Sequence, residues 1–190
     1  MERRHFVAAL AAGLAIPAVA RAQSPASSDA KPMLSDLETS YIKQTMTAGS
    51  ASLATSRIAL KRAQDTDVME FAKFEADEQN TIASILKSMT QPATLSGEVT
   101  PPSDAEVEAS LDAKGKDALM KVRDAKNDAF DRDYVRSQIA GHRELLEIQD
   151  NYLKSGRNPQ ALAVAKLGKG QIKEHLALLS DIENGMGKKG

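Results

Sequence analysis

Four side chains in this sequence have the types and spacing to do chemistry: Glu75, Glu78, His142 and His175. Carboxylate oxygen and imidazole nitrogen are the donors that nitrogen/oxygen metal sites use. Two readings follow. In one, the four groups hold a single divalent metal or iron ion, with no element preferred. In the other there is no metal, and the imidazoles hydrogen-bond the glutamates in a buried polar network that Gln138 and Gln149 join. Other chemistry lacks its residues. The absence of cysteine excludes thiol catalysis, Cys-ligated metal and disulfides. There is no Gly-rich phosphate loop, serine-nucleophile elbow or zincin motif. A di-iron carboxylate site needs two Glu-x-x-His pairs, and the single pair is Glu2 to His5. No catalytic residue is assigned, and the chain is expected not to be an enzyme.

These four groups must be carried on long helices. Ala, Leu, Lys, Glu and Gln are abundant, aromatics are sparse, and these are helix formers. The first long helix is expected from about Ser35, as N-cap with Glu38 closing a capping box, to Ala63. Asp65-Thr66-Asp67 turns into a second helix, Val68 to Met89. A loop follows from Gln91 to Thr100, and then a less regular helical piece from Pro101 to about Asp124. The third long helix spans Asn127 to Ser155. Gly156-Arg157-Asn158-Pro159 stops it and starts a fourth, Gln160 to Asn184. Residues 34–184 form the domain, and residues 185–190 are expected to be a flexible tail.

Connection lengths choose the topology. The first–second and third–fourth links are short, so each pair is an antiparallel hairpin. The long second–third connection can travel back along the bundle and makes those two helices parallel. The fold class is therefore all-α, a four-helix bundle of ferritin-like type with one long crossover. At ~100° per residue, Glu75 falls in the middle of an apolar arc of Val68, Phe71, Ala72, Phe74, Ile82, Ile85, Leu86 and Met89. Glu78 and Gln79 flank it. On the third helix Asp131, Gln138, His142 and Gln149 lie along the centre of the apolar face. His175 sits among Val164, Ile172, Leu178, Leu179 and Ile182. The inward row of the first helix is Thr45, Ser52 and Ser56, with Glu38 near the far end. The hairpin registers expect Ser56 beside Glu75 and His142 beside His175.

The N-terminus reads as an export signal. Arg3 and Arg4 precede an apolar run from Phe6 to Ala20, and Ala20-Arg21-Ala22 is a small-x-small cleavage site ahead of Gln23. Arg3-Arg4-His5-Phe6 also resembles the twin-arginine signature; an ordinary secretory signal with two arginines is the alternative. Residues 1–22 are thus expected to be removed, residues 23–33 to be a disordered linker, and the mature protein to be periplasmic. Losing Glu2, Arg3, Arg4 and Arg21 takes the formal charge from −1 to −3. That is too mild and evenly spread for nucleic acid. No later segment is apolar and long enough to span a bilayer.

At this point the residues resemble a family. Phe71-Ala72, then Phe130-Asp131-x-x-Tyr134-Val135 with His142 twelve positions after Phe130, and a histidine on the last helix, are similar to the exported bacterial proteins called domain of unknown function 4142. The resemblance covers roughly Leu34 to Ile182. It implies a ferritin-like fold and no assigned biochemical function. The chain departs from the family pattern at Ser52, where members often carry Glu, and at Glu78-Gln79, where they often carry Asp-His. Glu75 stands at a usually apolar position. The expected role is a non-catalytic envelope or stress-related interaction protein, with an unidentified envelope protein as partner. The alternative is a metal-binding bundle.

Overall fold

A computed structural model describes residues 34–91 and 97–188. The expected signal segment and linker lie outside the described residues. Among those described, six helices and no strand are present: α1 (Asp36–Arg62), α2 (Thr66–Thr90), α3 (Asp104–Ala109), α4 (Ala113–Asp124), α5 (Asn127–Ser155) and α6 (Pro159–Lys188). None is long and apolar enough to cross a membrane.

The helix starts follow local chemistry. Ser35 accepts from the Glu38 backbone N–H, and Asp65 accepts from that of Asp67. Ser103 and Glu106 form a reciprocal capping box on α3, and Asp112 accepts from Gly115 on α4. Such caps occupy backbone donors that a helix leaves unpaired at its first turn. At α6 the Asn158 Oδ1 accepts from the N–H groups of Gln160 and Ala161, both at 3.0 Å. Pro159 takes the first helical position, where no N–H is needed.

Side-chain packing sets the directions. One buried cluster joins Ala59 at the end of α1, Phe71 at the start of α2, Phe130 and Tyr134 at the start of α5, and Leu179 and Ile182 late in α6. A second joins Tyr41 and Ile42 early in α1, Leu86 and Met89 late in α2, Tyr152 late in α5, and Ala161 and Ala165 early in α6. So α2 and α5 run together, and α1 and α6 run against them. Helices α3 and α4 make the connection between α2 and α5. They cover α1 through a third cluster of Leu53, Ala54, Ala76, Val107, Leu111 and Leu119. Arg62 fixes the return into α5. Its guanidinium donates to the carbonyls of Arg123 (2.7 Å) and Ala125 (2.5 Å) and stacks 4.3 Å from the Phe130 ring centroid.

Each hairpin turn is held by a carboxylate from the other hairpin. Asp131 on α5 accepts from the backbone N–H groups of Gln64 and Asp65 in the α1–α2 turn, the shortest at 2.8 Å. Glu38 on α1 accepts from the N–H groups of Arg157 (3.2 Å) and Asn158 (3.4 Å) in the α5–α6 turn, and from the Tyr152 hydroxyl at 3.0 Å. The Ser35 hydroxyl donates to its other oxygen. Glu38 is buried, and its pKa is lowered to about 2, chiefly by Ser35 and then, against the cost of burial, by the turn N–H groups and Tyr152.

Two expectations need correction. Helix α6 continues through Gly185 to Lys188, because Met186 packs against the first cluster and anchors the last turn. Phe74, Ile85 and Leu178 are exposed, Phe74 by 50 %. The apolar arcs of α2 and α6 are wider than the surface these helices bury against each other.

Candidate metal centre

Three long helices bring Glu75, His142 and His175 to one point in the core. Each occupies an inward position of its helix: Glu75 follows Phe71 by one turn, and His142 follows Gln138 by one turn. Glu75 Oε2 lies 3.3 Å from His142 Nε2 and 3.1 Å from His175 Nδ1, and the two nitrogens are 3.0 Å apart. Among the described residues these three form the group able to hold a metal ion. Their side chains are 0 %, 1 % and 13 % exposed, so the site is closed except along His175.

Surrounding groups fix each donor. His142 Nδ1 lies 2.8 Å from the Gln138 carbonyl. A carbonyl only accepts, so Nδ1 carries a proton, and in the neutral ring Nε2 presents its lone pair to the triangle. Glu75 Oε1 accepts from Ser52 Oγ at 2.5 Å and from Gln79 Nε2 at 2.9 Å. Oε2 is left close to both imidazoles, yet no ring N–H is aligned to donate to it. His175 Nε2 points away from the triangle, 3.1 Å from Glu78 Oε2. Burial alone would raise the Glu75 pKa, but the two imidazoles and Ser52 overcome it and the carboxylate is held below its usual range. For His175 burial works against the charge, and Glu75 and Glu78 outweigh it, raising the imidazole to about 9.

Glu78 is thus not in the triangle. It stands behind His175, 31 % exposed, in the place where metal-binding histidines keep a carboxylate that orients the ring. Gln138 joins through Ser52: its Oε1 is 2.5 Å from Ser52 Oγ, and its amide nitrogen reaches Thr55 Oγ1 at 2.9 Å and Ser56 Oγ at 3.2 Å. Gln149 belongs to a separate pair of contacts, accepting from the Tyr41 hydroxyl at 2.7 Å and reaching Thr45. His142 and His175 meet across their hairpin as the register expects. Ser56 does not meet Glu75; it pairs with the Tyr134 hydroxyl at 2.9 Å, and Ser52, one turn earlier, takes the glutamate. Asp131, which also lies inward on α5, serves the α1–α2 turn instead.

Among the described residues the chain is therefore all-helical, and its long helices converge a glutamate and two histidines on one buried point. It belongs to the family described as Domain of unknown function (DUF4142), which it matches over residues 23–182. No curated protein and no solved structure matches it.

Proposed function

We propose that this protein is an exported metal-binding helical bundle with a mononuclear two-histidine, one-carboxylate centre formed by His142 Nε2, His175 Nδ1 and Glu75 Oε2. The observation that carries the reading is the donor spacing. A first-row ion ~2.1 Å from each donor sets neighbouring donors ~3.0 Å apart in an octahedron and ~3.4 Å apart in a tetrahedron. The three separations, 3.0, 3.1 and 3.3 Å, fall in that interval. An ion could enter with little movement of the helices. This donor set with open positions suits Fe(II), and Mn(II) or Zn(II) as competitors. The Gln138 carbonyl orients the His142 ring from outside, and Glu78 Oε2 stands 3.1 Å behind His175 Nε2 as its counter-charge.

The competing reading is a metal-free network, in which a cationic His175 stands between Glu75 and Glu78. It is favoured by the raised pKa of His175. Elemental analysis of untagged protein from its native envelope separates the two: about one metal per chain supports the first, and none at any loading supports the second. A ligand that binds only the folded state raises its stability, so the melting temperature should fall with chelator and rise with added Fe(II), Mn(II) or Zn(II).

The parallel course of α2 and α5 supports reading the fold as a ferritin-like four-helix bundle with α3 and α4 as its crossover. The basic start, apolar run and Ala20-Arg21-Ala22 site carry the proposal of export and a periplasmic mature protein. N-terminal sequencing tests that assignment; Met1 retained on cytoplasmic protein would refute it.

A further inference from the structure

The two faces of the Glu75–His142–His175 triangle differ. Towards the α1–α2 turn the Phe71 ring closes the site, with its centroid 5.3 Å from that of His175 and 5.9 Å from that of His142. Tyr134 stands against Phe71 on the same side, at 6.4 Å. Towards the α5–α6 turn there is space: a cavity of about 20 Å³ lies against both imidazoles, bordered by Gln79, Ile82, Leu145, Gln149, Gly168 and Ile172. All six lie one or two turns further along their helices in that direction. A void of ~10–15 Å³ on this measure already holds one water. Three protein donors leave one coordination position open in a tetrahedron and three in an octahedron.

We propose that this cavity receives an exchangeable ligand of one or two heavy atoms on the metal, water or hydroxide at rest and a diatomic molecule of the dioxygen or nitric oxide class when one is present. The inference rests on the metal reading above. The walls fit such a ligand. Ile82, Leu145 and Ile172 make part of the wall apolar, while the Gln79 and Gln149 amides can donate to a partly charged atom. The volume refuses bidentate carboxylates and imidazole-sized ligands.

Nitric oxide on Fe(II)-loaded mature protein, prepared without oxygen, is the probe. Iron per chain and the electron paramagnetic resonance signal of the nitrosyl are read separately. A Cβ at Gly168 meets only the Gln149 Oε1, at 3.9 Å, so the position accepts a side chain, Gly168→Leu fills the cavity from this wall, and the iron content checks that the metal ligands are undisturbed. Wild type should bind one iron and give a nitrosyl signal. Gly168→Leu should keep the iron and lose nitric oxide affinity tenfold or more. Iron-loaded wild type without a nitrosyl, or an undiminished nitrosyl in Gly168→Leu, overturns the proposal. Failure to bind iron at all overturns the metal reading, and this one with it. Val164→Phe, on the same cavity wall, replaces Gly168→Leu if circular dichroism shows the latter unfolded.

Discussion

Ser52 donates its hydroxyl to Glu75 Oε1 at 2.5 Å, and with Gln79 on the same oxygen this leaves Oε2 to face the two histidines. Ser52→Ala removes a buried partner without touching a donor to the metal. Outer partners of this kind are worth about 10–100-fold in metal affinity. The variant should therefore bind Zn(II) by about that much more weakly in a calorimetric titration. Metal-free, it should lose about 1–3 kcal/mol in urea unfolding. Unchanged affinity would show that Ser52 packs beside the centre without orienting it.

Single and combined removals of the triangle should differ in sign of interaction. His142→Leu leaves the largely buried His175 Nδ1 without the ring nitrogen 3.0 Å from it, which should cost about 1–3 kcal/mol without metal. Changing Glu75, His142 and His175 together to apolar residues of similar volume leaves no orphan and should recover much of that loss. The triple variant should also melt at the same temperature with chelator or with added metal. Urea unfolding and thermal melts check both statements; a triple variant less stable than the single would contradict the first.

Glu38 makes acid stability testable. Its pKa falls from an ordinary 4.5 to about 2 on folding, so the folded state favours the charged form. Stability from this group is fully present above pH 4.5 and is lost as pH falls towards and through about 2. Glu38→Gln keeps the acceptor oxygen for the α5–α6 turn but not the charge. It should destabilise the protein by about 1–2 kcal/mol at neutral pH, and the gap to wild type should close between pH 4.5 and 2. A gap that stays constant over that range would mean the charge is not what holds the turn.

The four long helices, their directions and the meeting of His142 with His175 are readable because they depend on periodicity, caps and link length, all local or nearly so, whereas the break of the connecting piece into α3 and α4 is not. Asn127 to Ser155 came out as one helix for that reason. The finer assignments differ where they need the height of one helix against its neighbour. A shift of one turn exchanges Ser56 for Ser52 beside Glu75, and Glu78, one turn on from Glu75, stands behind His175. The role of Glu38 was hidden for another reason. Ser35 and Glu38 do read as a local capping pair, but the partners that bury the carboxylate, Tyr152, Arg157 and Asn158, lie more than a hundred residues away. Gly49 carried no visible signal at all, since a glycine inside a helix reads as a cost until its neighbour is known.

That neighbour is Gln79, and the pair gives a test in which one substitution should change sign. A Cβ at Gly49 would lie 2.4 Å from Gln79 Oε1 and 3.4 Å from its Cδ. The obstructing atom is the end of a flexible side chain, so Gln79 should swing aside while the backbone stays. Its 2.9 Å bond to Glu75 Oε1 would then break. Alanine gains about 1 kcal/mol over glycine inside a helix, while a hydrogen bond to a charged group is worth about 1.5–3 kcal/mol. Gly49→Ala alone should therefore destabilise the metal-free protein by about 1 kcal/mol. In a Gln79→Ala background the obstruction and the bond are both already gone. Only the helix term remains, and the same Gly49→Ala should stabilise by up to about 1 kcal/mol. Urea unfolding of the four proteins completes the cycle. The same sign in both backgrounds would show that Gly49 is not there to admit Gln79 over Glu75.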